Sequence, residues 1–218
     1  MRASRIYHKV SSRIFDTPEA CKFLVSSPTP ESLPRESKTE VIFIGRANAG
    51  KSSLLNSVMG RTNLVLTSSK PGRTQALNFF QVGAIAGELT LVDAPGYGQR
   101  GRPEWGRVFE HYLETRKCLR RVFLLVNAKH GFSELDGIML QDLDRRFKRA
   151  AGLSFNYQLV LTKIDEIRNQ QLIETKNQVE NGARKITDVW SLGTLVTSTK
   201  GNGFGIAGLR DAIVEACG

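Results

Sequence analysis

Eight consecutive residues, Gly45 to Ser52, have the types and spacing of a loop that binds phosphate groups. The two glycines of this loop allow a tight turn that directs several backbone N–H groups at one anion. The Lys51 ammonium would contact the β- and γ-phosphates of a nucleotide, and the Ser52 hydroxyl would ligate Mg²⁺. We therefore predict phosphate contacts from the whole segment and its neighbour: Gly45, Arg46, Ala47, Asn48, Ala49, Gly50, Lys51, Ser52 and Ser53.

A second candidate group, Asp93-Ala94-Pro95-Gly96, directly follows the apolar residues 89–92. An aspartate at the carboxyl end of a buried strand lies where open α/β sheets bind ligands. We expect Asp93 to hold Mg²⁺ through a water molecule, and the Gly96 N–H to face the γ-phosphate. Alone, this tetrapeptide is an ordinary turn, but after a phosphate loop it predicts the second half of the same site.

A third group, Thr162-Lys163-Ile164-Asp165, follows another apolar run and predicts recognition of guanine. The Asp165 carboxylate can accept hydrogen bonds from guanine N1–H and N2–H₂ together, a pair of contacts that adenine cannot complete. Lys163 would pack its stem along the loop and the base, and the segment from Ser198 would offer a backbone N–H to guanine O6. The predicted guanine-binding residues are Thr162, Lys163, Asp165, Ser198, Thr199 and Lys200.

Strands and helices must bring these three groups to one place. Residues 40–44 form a short apolar, β-branched run before the phosphate loop, and a helix with apolar spacing follows it and ends near Gly60. Further apolar runs predict strands at residues 77–82, 89–92, 122–126 and 158–161. The uniformly apolar run at 122–126 predicts a central parallel strand that is covered on both faces, and hence an α/β fold.

One predicted helix carries both an apolar and a basic set of residues. Its apolar set has helical spacing and is predicted to lie in the core: Leu135, Ile138, Met139, Leu143 and Phe147. Its basic set predicts a solvated face, with an RNA contact as the alternative: Arg145, Arg146, Lys148 and Arg149.

The chain is basic, with 31 Lys and Arg against 21 Asp and Glu, a net charge of +10 and a pI of about 9.8. This excess favours an anionic partner larger than a nucleotide, either RNA or an acidic surface, although residence in the mitochondrial matrix gives the same sign. The three cysteines are far apart in the sequence, which indicates a reducing compartment. No apolar run approaches the length of a membrane span.

The N-terminal segment differs in composition from the rest. Residues 1–13 are basic, contain serines and lack acidic residues, as in a mitochondrial presequence, and a solvated basic arm is the alternative. Three prolines then predict an extended lead-in. We therefore divide the chain into an N-terminal extension, residues 1–37, and one domain, residues 38–218.

The motifs in this order resemble those of translation-factor-class GTPases, and their wording resembles the EngB (YihA-type) family. The resemblance rests on residues 45–56, Lys70-Pro71-Gly72-Arg73-Thr74-Gln75, residues 93–98 and residues 125–131, and it covers roughly residues 40–215. Two positions depart from the family pattern, namely Ala47, where Ser is usual, and Asn127, where Asp is common.

The resemblance implies a three-layer Ras-like GTPase domain that acts as a monomeric switch in assembly of the large ribosomal subunit, through rRNA and ribosomal proteins. It implies that GTP rather than GDP favours the ribosome-bound state. Eukaryotic relatives work in mitochondria or plastids, which favours the mitochondrial matrix for this chain, with the bacterial cytoplasm as the alternative.

The resemblance also implies catalytic roles for Lys51, Thr74 and Asn48. Thr74 would join Ser52 as a Mg²⁺ ligand only when GTP is bound, which would order the polar stretch around it. Asn48 would ligate potassium beside the phosphates. Tyr97 stands where many GTPases have a water-orienting Gln, so we predict slow hydrolysis that potassium and ribosomal particles stimulate, with Gln75 and Gln99 as substitute candidates.

Three other functions fit parts of the sequence. A basic RNA-binding module could use GTP only as a structural ligand, and the absence of Gln at position 97 favours it. An ATP-using kinase with a phosphate loop is disfavoured because the motif at Asp165 has no role in binding adenine. A tRNA-modification GTPase would normally require further domains.

Overall fold

The computed structural model describes residues 12–66, 76–98, 103–149, 155–187 and 192–218. Within these ranges one sheet contains seven strands: β1 Lys22–Ser27, β2 Glu40–Gly45, β3 Leu77–Val82, β4 Leu89–Asp93, β5 Leu119–Asn127, β6 Asn156–Thr162 and β7 Leu195–Val196. Their order across the sheet is β1-β3-β4-β2-β5-β6-β7. The β1–β3 and β3–β4 pairs are antiparallel, and all the other pairs are parallel.

Helices cover both faces of this sheet. They are α1 Lys51–Met59, α2 Pro103–Thr115, α3 Glu134–Arg149, α4 Leu172–Arg184 and α5 Ile206–Ala216. One apolar cluster packs α2, α3 and α4 against the sheet, and a second packs α1 and α5 against the opposite face. The predicted α/β class, with a mostly parallel sheet between two helical layers, is therefore confirmed.

The central strands were predictable because nearly every position in them is buried. All six residues of β2 and all residues of β5 except Arg120 are buried, so residues 41–44 and 122–126 are continuously apolar rather than alternating. As predicted for residues 122–126, β5 lies in the middle of the sheet, paired with β2 on one side and with β6 on the other.

Part of the segment that precedes residue 38 also belongs to the folded structure. Strand β1 adds an antiparallel edge to the sheet, and Phe15 and Cys21 lie in the apolar cluster beneath α1 and α5. The Arg116 guanidinium donates to the Pro34 carbonyl at 2.8 Å. The sequence did not predict this strand because Phe23 and Leu24 are both about half exposed, so β1 lacks a consistent apolar face.

The start of α3 is oriented differently from the prediction. Leu135 and Ile138 are 42% and 57% exposed, so their predicted place in the core was wrong, whereas Leu143 is buried as predicted. Asp136 is fully buried in this turn because it is bound by polar groups from other segments. These contacts direct Asp136 inward, which leaves the apolar residues on either side of it at the surface.

The basic residues of α3 are partly neutralised by nearby carboxylates. Arg146 donates to Asp142 at 2.7 Å and to Glu114 at 2.8 Å, and Lys148 lies 2.7 Å from Asp144. Exposed pairs of this kind contribute little to stability, but they reduce the positive charge that this face offers to RNA. The solvated-face interpretation of the basic set therefore fits better than an RNA contact.

Candidate functional site

The predicted phosphate loop connects the carboxyl end of β2 to the start of α1. Gly50 precedes the helix with φ of 91°, in the left-handed region where a side chain would be strained. Its carbonyl accepts from the Leu54 N–H at 2.9 Å, and no side chain caps the helix. Among the described residues, no side chain takes up the N–H groups of the first turn of α1, so these groups can bind an anion, which the helix dipole also favours.

Lys51 and Asp93 place opposite charges in the interior of this site. The Lys51 ammonium lies 3.4 Å from the Gly45 carbonyl oxygen, and burial lowers the pKa of Lys51, although nearby Asp93 opposes this shift. Asp93 is the last residue of β4 and is 2% exposed. Burial raises the pKa of Asp93 to about 6, and the charge of Lys51 limits the rise.

The Asp93 carboxylate has the properties expected of a residue that holds a hydrated metal ion. Within the described ranges, its Oδ1 atom is buried and has no hydrogen-bond partner. Such an atom normally costs free energy unless a ligand or water satisfies it. Ser52, in the first turn of α1, supplies the hydroxyl that the motif predicts as a Mg²⁺ ligand. The donor set of Asp93 and Ser52 therefore fits Mg²⁺.

Gly96 lies directly against the phosphate loop. A Cβ atom at this position would lie only 2.9 Å from the backbone N and Cα of Ala47, so the approach requires glycine. The Tyr97 N–H donates to the Gly45 carbonyl at 3.3 Å, and the Ala47 N–H donates to the Tyr97 carbonyl at 3.4 Å. The fold thus brings the second predicted group onto the first.

Tyr97 occupies the position where a water-orienting Gln was expected, but its side chain contacts α3. The ring is 6% exposed and packs in the apolar cluster beneath α2, α3 and α4. Its hydroxyl donates to Asp136 Oδ1 at 2.7 Å. Burial and the neighbouring Asp136 charge raise the pKa of Tyr97 well above its ordinary value. Tyr97 is therefore a neutral anchor and not a group that orients water.

The third predicted group is joined to the phosphate loop by a buried hydrogen bond. The Thr162 hydroxyl, at the end of β6, donates to the Ala49 carbonyl at 2.6 Å. Lys163 follows with φ of 56°, and its Cε atom lies 3.5 Å from the position that a Cβ on Gly50 would occupy. The Lys163 stem therefore passes along the phosphate loop.

Asp165 is held in place by the last predicted segment. The Ser198 hydroxyl donates to Asp165 Oδ1 at 2.6 Å, and the Lys200 ammonium lies 3.4 Å from Oδ2. The Ser198 hydrogen bond is the main cause that lowers the pKa of Asp165, so the carboxylate is ionised at neutral pH. Its side chain remains 22% exposed. It is thus a fixed acceptor that a ligand can reach.

The hydrogen bonds of residues 198–200 reduce the number of backbone N–H groups that could donate to guanine O6. The Ser198 N–H donates to the Phe204 carbonyl at 3.0 Å, and the Lys200 N–H donates to the Ser198 hydroxyl at 3.1 Å. Among the described residues, this leaves the N–H of exposed Thr199 as the unpaired donor of the three.

A cavity of about 310 Å³ lies between the phosphate loop and Lys163. Four of the residues that line it had no site role predicted from the sequence, namely Asn127, Lys129, His130 and Glu166. Asn127 is the last residue of β5, which pairs with β2 in parallel, and Lys129 and His130 follow shortly after it. Because the carboxyl ends of parallel strands meet at one edge of a sheet, the position of these residues after a predicted central strand was a usable signal.

Some predicted site residues cannot be placed. Thr74, Gln75 and Gln99 lie outside the described residues. In the ranges that are described, no three His, Cys, Asp or Glu side chains form a metal-binding group, and no helix has the length and apolarity needed to cross a membrane.

Sequence comparisons identify relatives along most of the chain. A family model described as "50S ribosome-binding GTPase" matches residues 40–163. A protein of Rhodopseudomonas palustris (strain BisB18) named "Probable GTP-binding protein EngB" is 39% identical over 199 residues, which cover 89% of this chain and 88% of that protein. A protein of Nitrobacter winogradskyi with the same name is 39% identical over 206 residues, which cover 90% of this chain and 88% of that protein.

Solved structures share the fold at low sequence identity. Era, in a complex with MgGDPNP and nucleotides 1506–1542 of 16S ribosomal RNA, has a TM-score of 0.60 and 19% identity, covering 84% of this chain and 57% of Era. Toc33 from Arabidopsis thaliana, in complex with GDP and Mg²⁺, has a TM-score of 0.60 and 17% identity, and the match covers 82% of this chain and 84% of Toc33.

The raised pKa of Asp93 leads to a prediction about the stability of the ligand-free protein. The carboxyl ionises near 3.8 when unfolded and near 6 when folded, so the stability it contributes is full below about 4 and is lost as pH rises through 6. A difference of about two pKa units corresponds to about 3 kcal/mol in the free energy of unfolding. In urea unfolding from pH 4 to 8, Asp93→Asn should therefore become more stable relative to the wild type as pH rises. Asp165→Asn is the control and should keep a nearly constant difference from the wild type over this range, because the lowered pKa of Asp165 places its titration below pH 4. A constant difference between wild type and Asp93→Asn across this range would contradict the assignment.

Proposed function

This chain belongs to the EngB family of GTP-binding proteins, and on that basis we propose that it is a GTP-hydrolysing switch in assembly of the large ribosomal subunit. The observation that carries the proposal is the contact between Thr162 and Ala49. It supports a single site in which the phosphate loop and the guanine-reading Asp165 serve one nucleotide.

The phosphate half of the proposed mechanism uses backbone and side-chain charge. The loop amides and Lys51 hold the β- and γ-phosphates, and the Gly96 N–H donates to the γ-phosphate. Ser52, and Asp93 through a water molecule, would hold Mg²⁺, which would neutralise developing charge on the phosphates. Thr74 is proposed as a further ligand in the GTP state only, so that its segment acts as the switch.

The guanine half uses the fixed acceptor Asp165. Its two oxygens accept from the N1–H and N2–H₂ groups of guanine, while the Thr199 N–H donates to O6. Lys163 supports the base with its stem, and the hydroxyl of Ser198 and the ammonium of Lys200 keep the carboxylate oriented and ionised. An adenine ring would leave Asp165 without donors at this position, which would disfavour ATP.

Hydrolysis requires a substitute for the absent Gln, and we assign that role to Asn48 with a bound potassium ion. Asn48 is exposed, lines the cavity, and has no side-chain hydrogen bond within the described part of the chain. Its amide oxygen is therefore available to a monovalent cation beside the phosphates. Gln75 and Gln99 remain weaker proposals.

The proposed partner is the precursor of the large ribosomal subunit, contacted by the monomer through rRNA and ribosomal proteins. The net charge of +10 and the description of the matching family model support it. The mitochondrial matrix remains a proposal that rests on the basic residues 1–13, and the bacterial origin of the similar proteins favours the bacterial cytoplasm.

One alternative retains a specific observation in its favour. A basic ribosome-binding module that uses GTP mainly as a structural ligand would explain why Tyr97 is anchored and does not face the phosphates. It predicts negligible turnover under all conditions.

The identity of the base is tested by Asp165→Asn. This variant loses the two charge-assisted hydrogen bonds to guanine, so affinity for GTP should fall about 100-fold or more, while affinity for xanthosine triphosphate should rise. Titration with fluorescent nucleotide analogues measures both affinities. Asp211→Asn, an exposed carboxylate on α5, is the matched control and should behave as the wild type. An unchanged guanine preference in Asp165→Asn would exclude Asp165 as the residue that reads the base.

The role of Asn48 is tested by turnover in potassium and in sodium at equal ionic strength. The wild type should hydrolyse GTP at least about fivefold faster in potassium, because a fixed positive charge stabilises the transition state, and Asn48→Ala should lose the difference. Equal wild-type rates in both salts, with and without ribosomal particles, would refute the proposal.

The cellular role is tested by co-sedimentation with large-subunit particles. Binding should be stronger with a non-hydrolysable GTP analogue than with GDP, and it should weaken steeply between about 50 and 200 mM salt if phosphate contacts dominate. Lys51→Ala serves as the control and should lose the nucleotide dependence. Phosphate release measured in the same mixtures separates the alternatives, since no turnover even with particles present would favour the binding module.

A further inference from the structure

Asp136 is a fully buried carboxylate that connects three distant segments. Its Oδ1 accepts from the Tyr97 hydroxyl at 2.7 Å, and its Oδ2 lies 3.2 Å from Arg46 Nε. The backbone N–H and the hydroxyl of Ser133 also donate to Oδ2, at 2.8 and 2.7 Å. Both oxygens are therefore satisfied, and a buried charge with this many partners has a defined position.

Two of these partners belong to the proposed nucleotide site. Arg46 is the second residue of the phosphate loop, and Tyr97 directly follows Gly96. Their backbones form a parallel β-bridge with each other. The Arg46 guanidinium also donates to the Gly131 carbonyl at 3.2 Å, so its side chain contacts the segment between β5 and α3, at the wall of the cavity between the loop and Lys163.

The backbone and side-chain contacts together fix the position of Gly96. Hydrogen bonds between Tyr97 and the loop residues Gly45 and Ala47 hold its backbone, and the hydroxyl bond to Asp136 holds its ring. A movement of the Gly96 N–H away from the phosphate loop would therefore strain these bonds. Asp136 thus controls whether this donor is already in place when a nucleotide arrives.

We propose that Asp136 is a positioning residue for GTP, which holds Tyr97 and Arg46 together so that the Gly96 N–H meets the γ-phosphate without rearrangement. This inference rests on the proposed GTPase function and adds to it a determinant of the affinity for GTP relative to that for GDP. GDP lacks the γ-phosphate and therefore makes no contact with the Gly96 N–H, so a less well fixed Gly96 should not change the affinity for GDP. For GTP, the same loosening adds an ordering cost on binding and misplaces a donor during hydrolysis.

Tyr97→Phe tests this because it removes one oxygen atom and keeps the ring. With Mg²⁺ present, affinity for the GTP analogue GDPNP should fall about tenfold, as expected for loss of a hydrogen bond to a buried charge. Affinity for GDP should stay within about twofold, and kcat for GTP should fall by a similar factor to the GDPNP affinity.

Tyr157→Phe is a matched control at the opposite end of α3. The Tyr157 hydroxyl is also buried and bonds to an aspartate of the same helix, with 2.9 Å to Asp144 Oδ1. This variant should lose stability to a similar extent in urea unfolding, with unchanged ratios of GDPNP to GDP affinity. A purely structural role for Tyr97 would make the two variants indistinguishable, and that result would overturn the inference.

Asp136→Asn provides a second, independent test if Tyr97→Phe folds poorly. It keeps the shape of the side chain but removes the charge that holds Arg46, so its loss of GDPNP affinity should equal or exceed that of Tyr97→Phe. The double variant should lose no more than the larger single loss, because both changes break one network. Equal losses for GDPNP and GDP in these variants would also overturn the inference. Failure of the proposed function itself is distinguishable, since the wild type would then show no GTP turnover in any condition.

Discussion

The site depends on one buried hydrogen bond, from the Thr162 hydroxyl to the Ala49 carbonyl. The phosphate loop follows β2, whereas Asp165 follows β6, two strands further across the sheet. Parallel pairing through β5 brings the carboxyl ends of these strands to the same edge, but pairing alone does not fix two loops relative to each other. The hydroxyl bond does so in a water-poor environment, where Thr162 is 3% exposed and the bond is strong. The distance between the phosphate loop and Asp165, the proposed reader of the base, is thereby set before any ligand binds.

This preorganisation has an energetic cost in the ligand-free protein. Lys51 and Asp93 are both buried, burial disfavours the charged form of each, and Asp93 Oδ1 has no hydrogen-bond partner among the described residues. Buried oxygen atoms in proteins normally have a hydrogen-bond partner, so the unpaired Asp93 Oδ1 at the end of β4 indicates that a ligand supplies its partner. The Arg46–Asp136–Tyr97 network is the opposite case, because every oxygen of its carboxylate is satisfied. The site therefore combines a rigid frame with a few groups that only the ligand satisfies.

Sequence patterns predicted the features that depend on local composition. Strands such as β2 and β5 were evident because both of their faces are buried, and the phosphate loop was evident because its glycines and Lys51 have fixed spacing. Features that depend on long-range contacts were missed. Strand β1 has no apolar alternation, and the inward orientation of Asp136 comes from Tyr97 and Arg46, which lie far from it in sequence. The cavity residues at and after the end of β5 were also missed, although their position at the carboxyl end of a predicted central strand was a usable signal.

The central claim is that one nucleotide bridges the phosphate loop and Asp165, and a crystal structure with Mg²⁺ and GDPNP tests it most directly. We expect the guanine N1–H and N2–H₂ groups within hydrogen-bond distance of the Asp165 oxygens, and a γ-phosphate oxygen within the same distance of the Gly96 N–H. The bond from Thr162 to Ala49 should be unchanged. A nucleotide whose base lies away from Asp165, or whose binding breaks that bond, would contradict the account.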